Sequence, residues 1–329
     1  MTGSLPRVHA WCAIPLLALG LWACGTRAGA PPVPAAPPAL AAGPRHVKTS
    51  DGSELYLHVA GQGPVCLFVH GGPGQDSLSF EQMGGAALEA FATMVYLDQR
   101  GSGKSPEASD YHLDRVVADF EEVRQALGVD KLCLIAHSFG GVLAVAYANR
   151  YPAHVSELIL ANATLQFLGP SALRMQTTFI NELLGRTRPP LPADSDPAGL
   201  AAAHDDAWSA LMHSDQGYRV LTDHLATVQK MNAIEGSYPR SRGFGAAVME
   251  QRAALPEYYA DYAPMSARIA QPVLVITSAR DYAVGPDEYK RFQFPHPQVV
   301  TLDGGHISYY DANAAFTAAV RAFLRGRSQ

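Results

Sequence analysis

The sequence predicts an α/β fold with a mostly parallel central sheet, covered by helices on both faces and interrupted by a mainly helical insertion. Short continuous apolar runs such as "PVCLFVHGG" and "PVLVITSARD" alternate with longer segments of helical spacing. Only the stretch 164–264 breaks this alternation. Apolar residues make up 48% of the 329-residue chain and charged residues 17%, which is typical of a large, well-packed core.

The first 44 residues are expected to lie outside the folded domain. Residues 1–24 combine Arg7 with the apolar run "AWCAIPLLALGLWAC", which is typical of an export signal. The segment "LWAC" resembles the lipobox of bacterial lipoproteins, in which the cysteine, here Cys24, is lipidated; an ordinary cleaved signal ending near "TRAGA" is the alternative. Residues 25–44 are almost wholly Ala, Pro and Gly, which predicts an extended tether. We therefore expect an exported bacterial protein, either periplasmic or attached to the outer membrane by a lipid anchor.

The first part of the core is predicted to span 45–163. The run "ELYLHVAG" alternates at period two, and "PVCLFVHGG" and "TMVYLDQRGSG" are typical of buried strands, with helical spacing between them. The segments "KLCLIAHS" and "VSELILANA" predict two further strands, separated by a helix that stops at Pro152. A preceding amphipathic helix carries its apolar face on Leu113, Val116, Val117, Phe120, Val123 and Leu127.

The insertion 164–264 and the second part of the core, 265–329, complete the chain. The insertion holds proline clusters, helical pieces and aromatics but no buried-strand run, so it predicts a helical cap; a second domain of independent function is the alternative. "PVLVITSARD" and "QVVTLDGGH" predict two more strands, and "ANAAFTAAVRAFLRG" predicts a closing helix. Cys66 and Cys133 lie in strand-like runs and are expected to be buried, unpaired thiols, although an oxidising compartment would permit a disulfide.

The segment "AHSFGG" places Ser138 at the junction of a strand and a helix. Such a junction needs a sharp turn, which the small residues Ala136, Gly140 and Gly141 permit. The turn would lift the Ser138 hydroxyl above the sheet, within reach of a base. It would also aim the backbone N–H of Phe139 at a developing oxyanion. A serine that merely caps a core helix is the alternative.

Asp281 and His306 complete a candidate catalytic triad with Ser138. A serine nucleophile needs a histidine base and an acid, and these two residues follow later strands in the chain order Ser, Asp, His. The carboxyl ends of parallel strands meet at one edge of a sheet, where catalytic loops gather. Asp303 and Asp287 compete with Asp281 as the acid, but Asp303 lies in a tight glycine turn close to His306 and Asp287 at a helix start.

Two glycine-containing loops follow earlier strands. In "HGGPG" the backbone N–H of Gly72, or of Gly71, is expected to supply a second oxyanion donor, while His70 braces the loop. The segment "DQRGSGKS" ends like a phosphate-binding loop, but that motif requires glycine where Asp98 stands, so nucleotide binding is excluded. Arg100 is expected to pin this second loop beside the oxyanion site.

Taken together, "HGGPG", "DQRGSGKS", "AHSFGG", "SARD" and "GGH" resemble the proline iminopeptidase family of α/β-hydrolases over nearly all of 45–329. The resemblance implies an α/β-hydrolase fold with a helical cap, no cofactor, and a serine aminopeptidase that releases an N-terminal residue, often proline, from short peptides. In that family, carboxylates of the cap hold the free amino group of the substrate. Glu235, Glu250 and Glu257 are the candidates for that role here. The nucleophile segment "AHSFG" departs from the family's G-G-S-W-G and is closer to esterase-like hydrolases.

Charge and composition limit the possible partners. The net charge of −5 and the lack of a basic stripe exclude nucleic acid, and the histidines show no paired spacing for a metal. We therefore expect a small peptide or small-molecule substrate and no metal. A carboxylesterase or related small-molecule hydrolase is the nearer alternative, distinguished by whether an acid lines the pocket opposite Ser138. A non-catalytic ligand-binding relative is the more distant alternative, because all three triad residues are present.

Overall fold

The central sheet has eight strands in the part of the chain that the computed structural model describes, which is residues 40–188, 191 and 196–326. The strands are β1 Gly43–Lys48, β2 Glu54–Gly61, β3 Val65–Val69, β4 Thr93–Leu97, β5 Leu132–His137, β6 Val155–Ala161, β7 Val273–Ser278 and β8 Pro297–Leu302. Their order is β1-β2-β4-β3-β5-β6-β7-β8. β1 and β2 run antiparallel to their neighbours and β3 to β8 are parallel, which confirms the predicted sheet. β1 was not predicted, and it begins within the predicted tether.

The described residues also contain ten α-helices. They are α1 Ser77–Gln82, α2 Leu113–Leu127, α3 Gly140–Arg150, α4 Pro170–Leu183, α5 Pro197–Met212, α6 Leu225–Glu235, α7 Gly243–Glu250, α8 Ala263–Ser266, α9 Ser308–Asp311 and α10 Asn313–Arg325. Within the described ranges, no helix has the length and apolar character that a membrane span requires. The predicted signal at 1–24, including Cys24, lies outside the described residues.

The strands at the centre of the sheet are apolar along their whole length because helices cover both faces. On one face, Phe120 of α2 and Val142 of α3 belong to the same buried cluster as Leu134 of β5. On the other face, Phe80 of α1 and Phe316 of α10 belong to a second buried cluster. Burying each such large side chain contributes about 1.5–3 kcal/mol to stability. These two clusters hold the strand ends of the sheet in fixed positions.

Two predicted helical segments illustrate how local sequence sets the helix ends. The predicted apolar face of α2 is buried, and the helix ends at Gly128, which adopts a left-handed conformation with φ 67°. The segment between β3 and β4 is divided at Gly84, where φ is 129°. A Cβ at that position would lie 2.4 Å from the carbonyl oxygen of Tyr309. The segment therefore forms α1 and a separate 3₁₀ turn rather than one helix.

Cys66 and Cys133 are directly opposite each other on β3 and β5. Both side chains are fully buried, and the two thiols are unpaired. Burial raises the pKa of the Cys133 thiol. The two cysteines therefore act as small apolar residues of the second buried cluster.

The insertion between β6 and β7 is helical and contributes α4 to α7. α4 and α5 pack on each other through a small cluster of their own that includes Ile180 and Leu211. α7 differs, because Phe244 is fully buried and contacts Phe139, the residue after Ser138, and Tyr258. α4 and α5 thus pack on each other as a separate pair, whereas α7 is also packed into the main core.

Candidate active site

Ser138 occupies a strained turn between β5 and α3. Its backbone has φ 57°, a left-handed conformation that a residue with a side chain seldom adopts. Its N–H donates to the carbonyl of Ala161 at 3.3 Å, and its own carbonyl accepts from the N–H groups of Gly141 at 3.0 Å and Thr164 at 3.1 Å. Strain of this kind costs about 1–3 kcal/mol and persists only where surrounding contacts hold it. These hydrogen bonds hold the turn.

The small residues around Ser138 are required by close packing. A Cβ at Gly140 would lie 2.3 Å from the carbonyl oxygen of Val69, and one at Gly141 would lie 2.5 Å from that of Thr164. Ala136 is fully buried between β3 and β6. The sequence "AHSFGG" therefore folds into a turn tight enough to place α3 directly against the end of β3.

His306 and Asp281 lie together at the carboxyl ends of β8 and β7. Nδ1 of His306 is 3.1 Å from both carboxylate oxygens of Asp281. Burial, the largest influence, would raise the pKa of the Asp281 carboxyl. The charge of His306 and hydrogen bonds from His306 and Asn162 outweigh it, so the pKa is lowered. Asp281 is therefore held as a carboxylate facing His306, and Ser138 and His306 line the same cavity.

The two competing acids lie elsewhere. Asp303 is mostly exposed and pairs with Arg280. Asp287 is also mostly exposed and pairs with Lys290 at 2.8 Å. The structure thus brings only Asp281 of these three candidates to His306.

Asn162 is a site residue that the sequence analysis missed. Its backbone is left-handed with φ 46°, and its Nδ2 donates to Asp281 Oδ2 at 2.8 Å. Its Oδ1 accepts from the hydroxyls of Ser308 at 2.5 Å and Ser278 at 3.4 Å. Asn162 follows β6 directly, so a polar residue at the carboxyl end of a strand was the signal that could have revealed it.

The loop after β3 reaches the turn at Ser138 between β5 and α3, called the elbow below, through its two adjacent glycines. A Cβ at Gly71 would lie 2.7 Å from Ser138 Cβ and 3.3 Å from the nitrogen of Phe139, so this glycine is packed against the elbow. Gly72, with φ 110°, is exposed and lines the cavity. No described residue accepts a hydrogen bond from the N–H of Phe139 or of Gly72. Neither N–H group is engaged elsewhere, and of the two glycines Gly72 is the one that lines the cavity.

His70 braces this loop from below. Its Nε2 accepts from the N–H of Gln99 at 3.0 Å, and its Nδ1 donates to the carbonyl of Gly71 at 3.1 Å. The amide of Gln99 in turn donates to the carbonyl of His70 at 2.9 Å. With both ring nitrogens occupied in a buried position, His70 has no free group for acid–base chemistry.

Arg100 pins the loop after β4 to α2 and to the turn between β1 and β2. Its guanidinium forms a two-pronged pair with Asp119 of α2 at 2.6 and 2.7 Å and a bond to Asp51 at 2.9 Å. The link to the oxyanion loop, residues 70–76, runs through the hydrogen bonds between Gln99 and His70. Asp98 adds a link to the start of α1, because its carboxylate accepts from both the N–H and the hydroxyl of Ser77. Arg100 therefore ties the loop after β4 to α2, and Asp98 ties it to the start of α1.

His137 lies directly beside His306. Its Nε2 donates to the carbonyl of His306 at 3.0 Å, and the two ring centroids are 4.6 Å apart. Burial, with the charge of His306 acting in the same direction, lowers the pKa of His137 to about 3. The ring is therefore neutral and supports the backbone of His306 without adding a second charge.

The cavity above Ser138 has a volume of about 540 Å³ and is walled mainly by apolar side chains. The cap contributes Leu173 of α4, Trp208 of α5, Met231 of α6 and Met249 of α7. Among the described residues that line it, Asp205 is the only carboxylate and Arg252 the only guanidinium or ammonium group. The Asp205 side chain is 84% exposed, which places this charge at the mouth.

The three carboxylates expected to hold a substrate amine do not line this cavity. Glu235, at the end of α6, accepts from Gln75 and pairs with Arg240, both at 2.5 Å. Glu250 is exposed, and Glu257 accepts from the N–H of Leu113 at the start of α2. Two of these acids thus have partners within the protein, and the third faces solvent.

Comparison with known proteins agrees with this architecture. Residues 64–313 match the family described as alpha/beta hydrolase fold. The proline iminopeptidase of Heyndrickxia coagulans is 35% identical over 108 residues, which are 32% of this chain and 37% of that protein. The proline iminopeptidase of Neisseria gonorrhoeae is 34% identical over 148 residues, 44% of this chain and 45% of that protein. The chain thus spans less than half the length of these relatives.

A solved structure extends the likeness over most of the chain. The proline iminopeptidase-related protein of Thermus thermophilus has a TM-score of 0.69 and 26% identity, covering 87% of this chain and 98% of that one. The predicted resemblance to proline iminopeptidase-like hydrolases is confirmed. With the family match covering most of the folded part, the chain belongs to the α/β hydrolase fold family.

Proposed function

We propose that this enzyme hydrolyses small, uncharged acyl esters, or closely related amides, through an acyl-enzyme on Ser138. The observation that carries the proposal is the character of the cavity that Ser138 and His306 share. It is mainly apolar, and none of its described lining residues is an enclosed carboxylate. Cavities of this kind favour uncharged substrates.

The proposed chemistry follows from the hydrogen bonds of His306. Because Nδ1 faces Asp281, Nε2 is the nitrogen that takes the proton from the Ser138 hydroxyl. The serine oxygen attacks the acyl carbon, and the N–H groups of Phe139 and Gly72 stabilise the negative oxygen that forms. The proton returns from His306 to the leaving alcohol or amine. Water then repeats the sequence and releases the acid, so that one ester bond and one water yield an alcohol and an acid.

Ester and peptide substrates differ in charge, because a peptide cleaved at its N-terminal residue carries a free ammonium group. A free ammonium group in a partly desolvated pocket requires a carboxylate partner, since an unpaired buried charge is strongly disfavoured. Asp205 is the only described lining residue that carries one, and it is mostly exposed to solvent. The walls nearer Ser138 therefore favour an uncharged acyl group.

Removal of an N-terminal residue from short peptides is the second candidate. The names of the relatives support it, since two of them are proline iminopeptidases. Asp205 at the mouth is the group that an ammonium could meet. In either case the cap, which lines the cavity with four helices, favours short substrates over long polypeptides.

The test compares substrates and variants on the purified enzyme. We expect short-chain aryl esters to be cleaved faster than prolyl arylamide, and N-acetylprolyl arylamide at least as fast as the free amine. Ser138→Ala should lower kcat by about 10⁴-fold while circular dichroism stays unchanged. Ser209→Ala, an exposed serine of α5, is the matched control.

Two results would contradict the proposal. A clear preference for the free-amine prolyl substrate would contradict the ester proposal and favour the second candidate, removal of an N-terminal residue. A Ser138→Ala enzyme that kept a tenth of the wild-type turnover would remove Ser138 as the nucleophile.

A further inference from the structure

The side chain of Gln75 lies where the oxyanion loop meets the cap. It follows Gly72 by three residues in the same loop, is half-buried, and lines the cavity above Ser138. Its Nε2 donates to Glu235 Oε1 at 2.5 Å and to the sulfur of Met231 at 3.6 Å. Both partners belong to α6 of the insertion. Gln75 is thus a polar side chain of the cavity that is held by the cap.

The orientation of the Gln75 amide follows from the chemistry of its partner. A carboxylate only accepts hydrogen bonds, so the amide nitrogen and not the amide oxygen must face Glu235. Both hydrogens of Nε2 then have acceptors, one strong and one weak. No described residue donates to Oε1 of Gln75. That oxygen is also not fully buried. The amide oxygen of Gln75 is therefore available to accept a hydrogen bond.

Glu235 is itself held in place by a network of charges, of which Asp76 is fully buried and the others partly buried. Its second oxygen pairs with Nη1 of Arg240 at 2.5 Å, and Arg240 also reaches Asp76 Oδ2 at 3.2 Å and the carbonyl of Gly74 at 3.3 Å. Asp76 is fully buried and accepts from the hydroxyl of Tyr238 at 2.7 Å. The cap therefore fixes Glu235 and the loop that carries Gly72 and Gln75 as one unit.

We propose that Gln75 is a specificity residue whose Oε1 accepts a hydrogen bond from an N–H or O–H group on the acyl part of the substrate. The substrate class is thus an uncharged acyl compound with a donor close to the scissile carbonyl, and Glu235 and Arg240 are positioning residues for Gln75. This inference rests on the proposed serine hydrolase function. A site built to receive a donor discriminates against an analogue in which a methyl group replaces that donor.

The test uses pairs of aryl esters that differ only by hydroxyl against methyl. One pair is the 2-hydroxypropanoate and 2-methylpropanoate esters, and the other is the 3-hydroxybutanoate and 3-methylbutanoate esters. We expect the wild-type kcat/KM to favour the hydroxyl member of at least one pair by about tenfold, the size of one net hydrogen bond. Gln75→Met, which keeps the length but removes the acceptor, should reduce that ratio to near one.

A second variant tests the positioning by Glu235. Glu235→Gln can accept or donate, so it no longer forces the Gln75 amide into one orientation, and we expect the hydroxyl preference to fall severalfold. Glu250→Gln is the matched control, because Glu250 also ends a helix of the insertion but is exposed and outside the cavity. It should retain the wild-type ratio.

The outcomes separate this inference from the proposed function. If the wild type cleaves the esters without preference for either hydroxyl member, or if Gln75→Met keeps the preference, the role of Gln75 is overturned while the hydrolase function stands. If neither Gln75→Met nor Glu235→Gln folds, a wild type without the preference still overturns the inference, and one with it supports the donor class. If no ester is cleaved at all, the proposed function fails first.

Discussion

His137 shows how a neighbour of the candidate site is kept from interfering with it. Two imidazole rings whose centroids are 4.6 Å apart cannot both carry a charge without mutual repulsion. Burial lowers the pKa of His137 to about 3, so its ring is neutral at neutral pH and places no second charge beside His306, the proposed base. In its neutral form the His137 ring still donates a hydrogen bond from Nε2 to the carbonyl of His306.

The lowered pKa of His137 predicts a pH-dependent stability. In the unfolded chain a histidine titrates near 6.5, so below that pH the unfolded state binds a proton that the folded state does not. Stability contributed by neutral His137 is therefore present above about pH 6.5 and is lost as pH falls. His137→Gln should reduce the slope of unfolding free energy against pH by about 1.4 kcal/mol per unit below pH 6.

Denaturant unfolding at pH 7, 6, 5 and 4 measures this slope. His213→Gln is the matched control, because it makes the same substitution at an exposed histidine directly after α5. An identical slope for wild type and His137→Gln would show that His137 is not the group that titrates.

At the scale of elements, the junction of β5 and α3 decides where Ser138, the proposed nucleophile, lies. α3 begins directly against the end of β3, and its first two residues are glycines because carbonyl oxygens occupy the space of a side chain. The left-handed backbone of Ser138 depends on that close approach. A change in the packing of α3 against β3 would therefore also change the geometry of the site.

Gly140→Ala is predicted to damage both stability and turnover. The new Cβ would meet the carbonyl oxygens of Val69 and His70 at 2.3 and 3.0 Å, and these atoms belong to the sheet and the oxyanion loop. We expect a loss of about 1–3 kcal/mol in unfolding free energy and a kcat at least tenfold lower, because α3 must move away from β3.

Gly217→Ala is the matched control for this prediction. Gly217 also starts a helical turn, but a Cβ there would meet only the flexible end of Met212 at 3.4 Å. Its stability should stay within about 0.5 kcal/mol of wild type. Equal stability and turnover for the two variants would mean that the elbow tolerates a wider approach than the structure indicates.

At the scale of the whole molecule, the insertion both covers the site and holds it. α4 and α5 form a cluster of their own above the cavity, whereas α6 supplies Glu235 to the oxyanion loop and α7 packs against Phe139. A cap that contacts the loops beneath it can change substrate preference without any change in the triad.

We also propose that the leader exports the chain and anchors it through Cys24. The segment "LWAC" precedes a Pro- and Ala-rich tether, and lipidation with more than one acyl chain gives stable attachment where a single chain binds only marginally. Bacterial cells that express the full chain should retain it in the membrane fraction, and Cys24→Ser should release it or leave it unprocessed.

Cell fractionation and mass determination of the N-terminus measure this outcome. A soluble periplasmic product from both the wild type and Cys24→Ser would show an ordinary cleaved signal. Cys12→Ser, which changes a cysteine inside the apolar run of the leader, is the control and should behave as wild type.

The sequence by itself determined the parallel sheet and the candidates Ser138, Asp281 and His306, because these depend on local patterns. Burial on both sheet faces leaves continuous apolar runs, and a strand that turns sharply into a helix leaves small residues around a serine. The chain order of the three residues and their positions after strands were also visible in the sequence.

Only the tertiary structure decided which polar groups are free to meet a substrate. Gln75 and Glu235 are 160 residues apart in the chain, and Asn162 and Asp281 are 119 apart, so no local pattern records either contact. Glu235 and Glu257 were plausible partners for a substrate amine until packing gave each of them a partner inside the protein. A charged side chain becomes available or occupied through neighbours that the fold brings from distant segments, and that is a property of packing rather than of periodicity.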